Sequence, residues 1–228
     1  MKKSQLISFL VTAGLLGWSR FSGAAEPAHP DQPTVSPAEA VSRLKEGNGR
    51  YTSGNQQHPH ESAERRAELT KSQHPFAIIV SCSDSRVPPE IVFDQGLGDL
   101  FALRVAGNVI GDHSLGSIEY AVDHLAVRLI VVLGHQSCGA VKAAKETIAA
   151  KTKAPAHIQS LVTAIQPAVE ATVDGDLETT VKTNVKNVVH ALRSSMPVLK
   201  PKVDADEIRV IGAYYSLDTG AVTFLEDK

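Results

Sequence analysis

Apolar positions along the chain follow two periods. Four short, nearly unbroken runs have strand length: Phe76 to Ser81, Leu100 to Val105, Arg128 to Leu133 and Ile208 to Tyr214. Runs of this kind, bounded by turn residues, predict strands buried on both faces. The segments between them carry helical spacing: Leu115 to Leu125, Cys138 to Ala150, His157 to Thr172 and Leu177 to Ser194. Apolar strands alternating with helices predict an α/β fold, a central and mostly parallel sheet flanked by helices. After Tyr215 the turn residues Asp218, Thr219 and Gly220 precede an alternating run ending at Phe224. That pattern adds an antiparallel edge strand to the four parallel ones.

Two helices are predicted ahead of the first strand. In Ser36-Pro37-Ala38-Glu39 a serine, a proline and a glutamate occupy the N-cap, first and third helical positions. This is a capping box, and the helix should run to about Gly47. A second helix is expected over Glu61 to Lys71.

Length and charge narrow the class. The chain has 228 residues, 43% of them hydrophobic, with a formal net charge of -2 and no strongly basic stretch. One sizeable core fits this length, read as a single domain over 36–228, and no nucleic-acid partner is expected. The N-terminus carries a separate signal. Met1-Lys2-Lys3 is positive, Leu6 to Trp18 is apolar, and Ser22-Gly23-Ala24-Ala25 is small. This order predicts a secretory signal peptide over 1–25, followed by a proline-rich leader over 26–35. The apolar run is short for a membrane span, so no stable membrane association is expected after cleavage. Removal of Lys2, Lys3 and Arg20 takes three positive charges from a net of -2 and leaves -5. The expected location is periplasmic or secreted.

Export changes how the two cysteines are weighed. In an oxidising compartment a Cys82–Cys138 disulfide is the first alternative, in a non-catalytic zinc or redox module. The neighbouring residues point elsewhere. The first strand ends in Cys82-Ser83-Asp84-Ser85-Arg86 and the third in Gly134-His135-Gln136-Ser137-Cys138-Gly139. Ligand sites in parallel sheets form outside the carboxyl ends of strands. Two thiolates and an imidazole brought together there suit zinc, with Asp84 a fourth ligand or a group turned aside to leave room for water. A disulfide would leave Asp84 and Arg86 without a task.

Cys82-Ser83-Asp84-Ser85-Arg86-Val87-Pro88, then Arg104-Val105-Ala106-Gly107-Asn108, then Gly134-His135-x-x-Cys138-Gly139 resemble the β-class carbonic anhydrases in order and spacing. The resemblance runs from about Ser36 to Phe224. It implies one Zn2+ per subunit on Cys82, His135 and Cys138, with Asp84 bound in a closed state and released to Arg86 in an open one. It implies reversible hydration of carbon dioxide to bicarbonate and a proton, by attack of zinc-bound hydroxide. Gln73, nine residues before Cys82, would hydrogen-bond bicarbonate. Phe101, Ala106 and Tyr120 would line the carbon dioxide pocket, and the Gly139 N–H would face the anion. The resemblance further implies a homodimer or homotetramer, with N-terminal helices extending onto a partner subunit. Hydrolysis of carbon disulfide or carbonyl sulfide on the same fold is the alternative chemistry. The only tryptophan, Trp18, falls in the expected signal peptide. The tryptophan-built inhibitory bicarbonate site of one subclass is therefore not expected.

Overall fold

A computed structural model describes residues 34–225. The expected signal peptide, and all but the last two residues of the proline-rich leader, lie outside them. The helices are α1 (Pro37–Thr52), α2 (Ala63–Glu68), α3 (Pro89–Val92), α4 (Asp112–His124), α5 (Gly139–Ala149), α6 (Ile158–Glu170), α7 (Leu177–Arg193) and α8 (Leu199–Asp204). The strands are β1 (Ala77–Ser81), β2 (Leu100–Arg104), β3 (Leu129–His135), β4 (Arg209–Tyr215) and β5 (Val222–Leu225). They form one sheet in the order β2-β1-β3-β4-β5. The first four strands are parallel and β5 is antiparallel to β4. The α/β reading and the antiparallel edge are both observed.

Alternate residues of the central strands feed two layers. Ile78, Val80, Ile130 and Val132 face α4 and α7, meeting Ile118, Val185 and Val189. Ala77, Ile79, Val131 and Leu133 face the other way, onto Ala40 and Leu44 of α1 and onto Phe93. β1 and β3 are therefore buried over their whole length, whereas β2, at the edge, exposes Ala102 and Arg104. Each fully buried Ile or Leu contributes about 1.5–3 kcal/mol, so these two layers dominate stability. A third cluster, built by α5 and α6, covers the carboxyl end of the sheet around Cys82 and Cys138. No helix among the described residues is long and apolar enough to cross a membrane.

Several boundaries differ from the pattern. Ser36 caps α1 as expected, accepting from the Glu39 N–H. The helix does not stop at Gly47 but continues to Thr52, because Gly47 is a point of close approach. A Cβ there would lie 1.8 Å from the carbonyl oxygen of Phe93. α2 is shorter than expected; it starts after Ser62, which caps it, and buries no residue that could hold further turns. β3 runs two residues past Leu133, because Gly134 and His135 pair with Tyr214 and Tyr215 of β4. α3, α8 and a 3-10 turn at Ala106–Asn108 have too few residues to show a period.

Candidate metal centre

β1 and β3 are neighbours, with Ser81 opposite Leu133, so their carboxyl ends lie side by side in mid-sheet. Cys82 follows β1 directly. His135 ends β3, and Cys138 is the N-cap of α5. Between them Ser137 adopts the left-handed region at φ 56°, which folds the chain back so that Cys138 meets His135. The ligand atoms of Cys82, His135 and Cys138 lie within 4.8 Å of one another. All three residues are buried, and both cysteines are free thiols with no bridge between them.

His135 tests whether this triad fits a metal. Its Nδ1 donates to the Gln136 carbonyl oxygen at 2.8 Å, which leaves the lone pair on Nε2. Nε2 is buried without a hydrogen-bond partner. An orphaned buried imidazole nitrogen beside two thiols is an unfavourable arrangement by itself and a suitable one around a borderline-soft cation. A hydrogen bond from Cys138 draws the Cys82 thiol down, against burial and with help from His135 and the Gly107 N–H. The Cys138 thiol is pushed up by the same bond, by burial and by the charge on Cys82.

Asp84 stands beside the triad rather than in it. Its Oδ2 is 3.9 Å from His135 Nε2. Arg86 Nε donates to Asp84 Oδ1 at 2.9 Å and Nη2 to Oδ2 at 2.7 Å, a bidentate fork. The Arg86 backbone N–H donates to Oδ1 as well. The Arg86 guanidinium, outweighing partial burial, holds the Asp84 carboxyl well below the usual carboxylate range.

Three supporting contacts have no counterpart in a reading by spacing. Arg104 donates to the backbone carbonyls of Cys82, at 3.1 Å, and Asp84, at 2.6 Å, fixing the loop that carries both. The Gly107 N–H donates to Cys82 Sγ at 3.3 Å. Gln136, whose carbonyl orients His135, is itself held by Asp218 at 2.7 Å. The motif Arg104-Val105-Ala106-Gly107-Asn108 and the turn at Asp218 were the signals available, and neither assigns a contact.

The expected substrate residues fall into two groups. Ala106 adjoins Gly107, and the exposed Gly139 is the first residue of α5; both sit at the end of the sheet that carries the triad. Gln73 is exposed in the loop before β1, at the opposite end of that strand from Cys82. Phe101 pairs with Ile78 and leans on the α4 and α7 side of the core. Tyr120 is 46% exposed and stacks on His124 with ring centroids 4.7 Å apart. This chain does not bring Gln73, Phe101 or Tyr120 to its own triad.

A family model described as Carbonic anhydrase matches residues 77–222. The chain is 42% identical over 191 residues to Carbonic anhydrase 2 of Mycobacterium tuberculosis, covering 82% of this chain and 92% of that protein. It is 48% identical over 137 residues to the carbonic anhydrase of Mycolicibacterium smegmatis, covering 60% of this chain and 66% of that protein. Among solved structures, the β-carbonic anhydrase CafA of Aspergillus fumigatus superimposes with a TM-score of 0.64 at 28% identity, over 83% of this chain and 90% of that one.

Proposed function

Because this chain belongs to the carbonic anhydrase family, in its β class, we propose that it is a zinc enzyme that hydrates carbon dioxide to bicarbonate and a proton. The convergence of Cys82, His135 and Cys138, with Nε2 of His135 bare, is the observation that carries this reading. These three residues would hold one zinc ion per chain and leave a fourth position open. When bound, the ion supplies a Lewis acid that makes water acidic near neutral pH. Arg86 keeps both carboxylate oxygens of Asp84 in its fork and so keeps that carboxylate out of the fourth position. Asp84 Oδ2 then accepts a hydrogen bond from the attacking water and aims it at the carbon. A carboxyl held so far below its ordinary range is a poor base, so Asp84 orients the water and the proton leaves to buffer.

Gln73 bears on assembly. A strand the length of β1 spans on the order of 15 Å, which separates Gln73 from Cys82 in one chain. If Gln73 binds bicarbonate, it does so at the metal centre of a second subunit. A dimer or larger assembly with shared sites follows, in which α1 and its leader reach the partner. The fold relative from Sordaria macrospora is a tetrameric β-carbonic anhydrase. Export of the chain also belongs to this reading; the N-terminal residue of protein recovered from cells tests it.

The deciding experiment is carbon dioxide hydration by zinc-loaded protein beside Asp84→Ala. We expect about one zinc per chain in both proteins and at least a hundredfold loss of turnover in the variant, the scale on which misplacing a reacting group is felt. Two thiolates donate more charge than imidazoles would, so turnover should rise toward alkaline pH. Hydrolysis of carbonyl sulfide without carbon dioxide hydration would favour the alternative chemistry.

A further inference from the structure

α7 presents an apolar stripe to the sheet, with Val181, Val185, Val188 and Leu192 buried along it. Asn184 interrupts this stripe and is only 2% exposed. Burying an amide among valines is unfavourable unless it is hydrogen-bonded. Its Nδ2 donates to the Gly107 carbonyl oxygen at 2.9 Å. The other side of the same residue faces the metal ligands, since the Gly107 N–H donates to Cys82 Sγ at 3.3 Å.

Any other residue would be strained at position 107. Its φ of 71° lies in the left-handed region, and a Cβ would stand 2.8 Å from Ile165 Cδ1 and 3.3 Å from Ala140 Cβ. The freedom that lets glycine adopt this turn also leaves its peptide groups free to rotate. Asn184 removes that freedom from the side away from the sulfur.

We propose that Asn184 is a positioning residue for the metal centre, clamping Gly107 so that its N–H stays directed at Cys82 Sγ. The proposal rests on the metal-binding reading of the triad. An N–H donated to a ligating sulfur withdraws charge from it and fixes its direction, as outer contacts of metal ligands do. Nothing in the residue spacing links Asn184 to the site; it lies 77 positions from Gly107 and meets it only through the packing of α7.

The test uses full-length protein loaded with NMR-active cadmium. In wild type, a scalar coupling is expected between the Gly107 amide proton and the metal, transmitted through Cys82 Sγ. Asn184→Leu keeps the side-chain shape and removes the donor. It should lose this coupling and bind cadmium about 10–100-fold more weakly in competition with a chelator. Val188→Ala, on the same helix face, should keep both. Absence of the coupling in cadmium-loaded wild type overturns the proposal. So does Asn184→Leu with wild-type coupling and affinity, or equal losses in both variants. Should Asn184→Leu not fold, Asn184→Ala is read by the same criteria, and the wild-type coupling needs no variant. Wild-type protein that binds neither cadmium nor zinc removes the metal reading itself, an outcome distinct from bound metal without coupling.

Discussion

Asp84 and Arg86 show how two residues in one loop divide a task. Both oxygens of the carboxylate are engaged by the guanidinium, and in the proposed mechanism this is what keeps Asp84 off the metal. Arg86→Ala should therefore keep one zinc per chain and lower turnover at least about a hundredfold, since Asp84 would then be free to occupy the metal. Metal analysis beside stopped-flow hydration checks both halves; a near-wild-type rate would sink the role. Spacing made the ligand set and this pair legible, because their residue types are rare together and each motif ends a strand. The contacts of Arg104, Gly107 and Asn184 were not legible, because backbone atoms provide one end of each and a backbone atom has no signature in the sequence.

At the scale of elements, α1 is held by close approach and by a buried ion pair. Gly→Ala inside a helix ordinarily gains about 1 kcal/mol. At position 47 the added Cβ meets the Phe93 backbone at 1.8 Å, so Gly47→Ala should instead destabilise the fold by about 1–3 kcal/mol, measured by urea denaturation. Arg50 Nε donates to Asp94 Oδ2 at 2.5 Å, and the N–H groups of Gln57 and His58 donate to the same carboxylate. Burial pushes the Asp94 carboxyl up, but Arg50 and the two amides together hold it below its ordinary value. Its folded pKa thus lies below the unfolded one, near about 3.9. The stabilisation is present in full above that value and is lost as pH falls toward the folded pKa. Asp94→Asn should cost about 3 kcal/mol at neutral pH and less in acid, so the two stability curves should converge below about pH 4. Curves that stay parallel would show that Asp94 does not contribute in this way. Helix existence was legible here from the capping box at Ser36, but helix length was not, since Gly47, a residue type that often ends helices, sits inside this one at a close packing contact.

For the whole molecule, the proposed assembly is tested by where Gln73 acts. Gln73 lies at the far end of β1 from Cys82, and Phe101 is set back along β2. Gln73→Ala and Asp84→Ala proteins should each be weakly active alone. Mixed and reassembled, they should regain activity, because a mixed pair has one site with an intact Asp84 receiving an intact Gln73 from its neighbour. No recovery in verified mixed oligomers would place Gln73 outside the reaction or within its own chain's site. The sequence by itself determined the α/β class, the strands, the candidate residues Cys82, His135 and Cys138, and the family resemblance. These depend on local period and on residue types whose chemistry is nearly unique at that spacing. Tertiary structure alone decided that β1 and β3 are neighbours, that Cys82 meets His135 and Cys138, and that α7 reaches Gly107. It also set Gln73 at the opposite end of β1 from Cys82. Such pairings join residues far apart in the chain, and only the closing of the whole core fixes the distances between them.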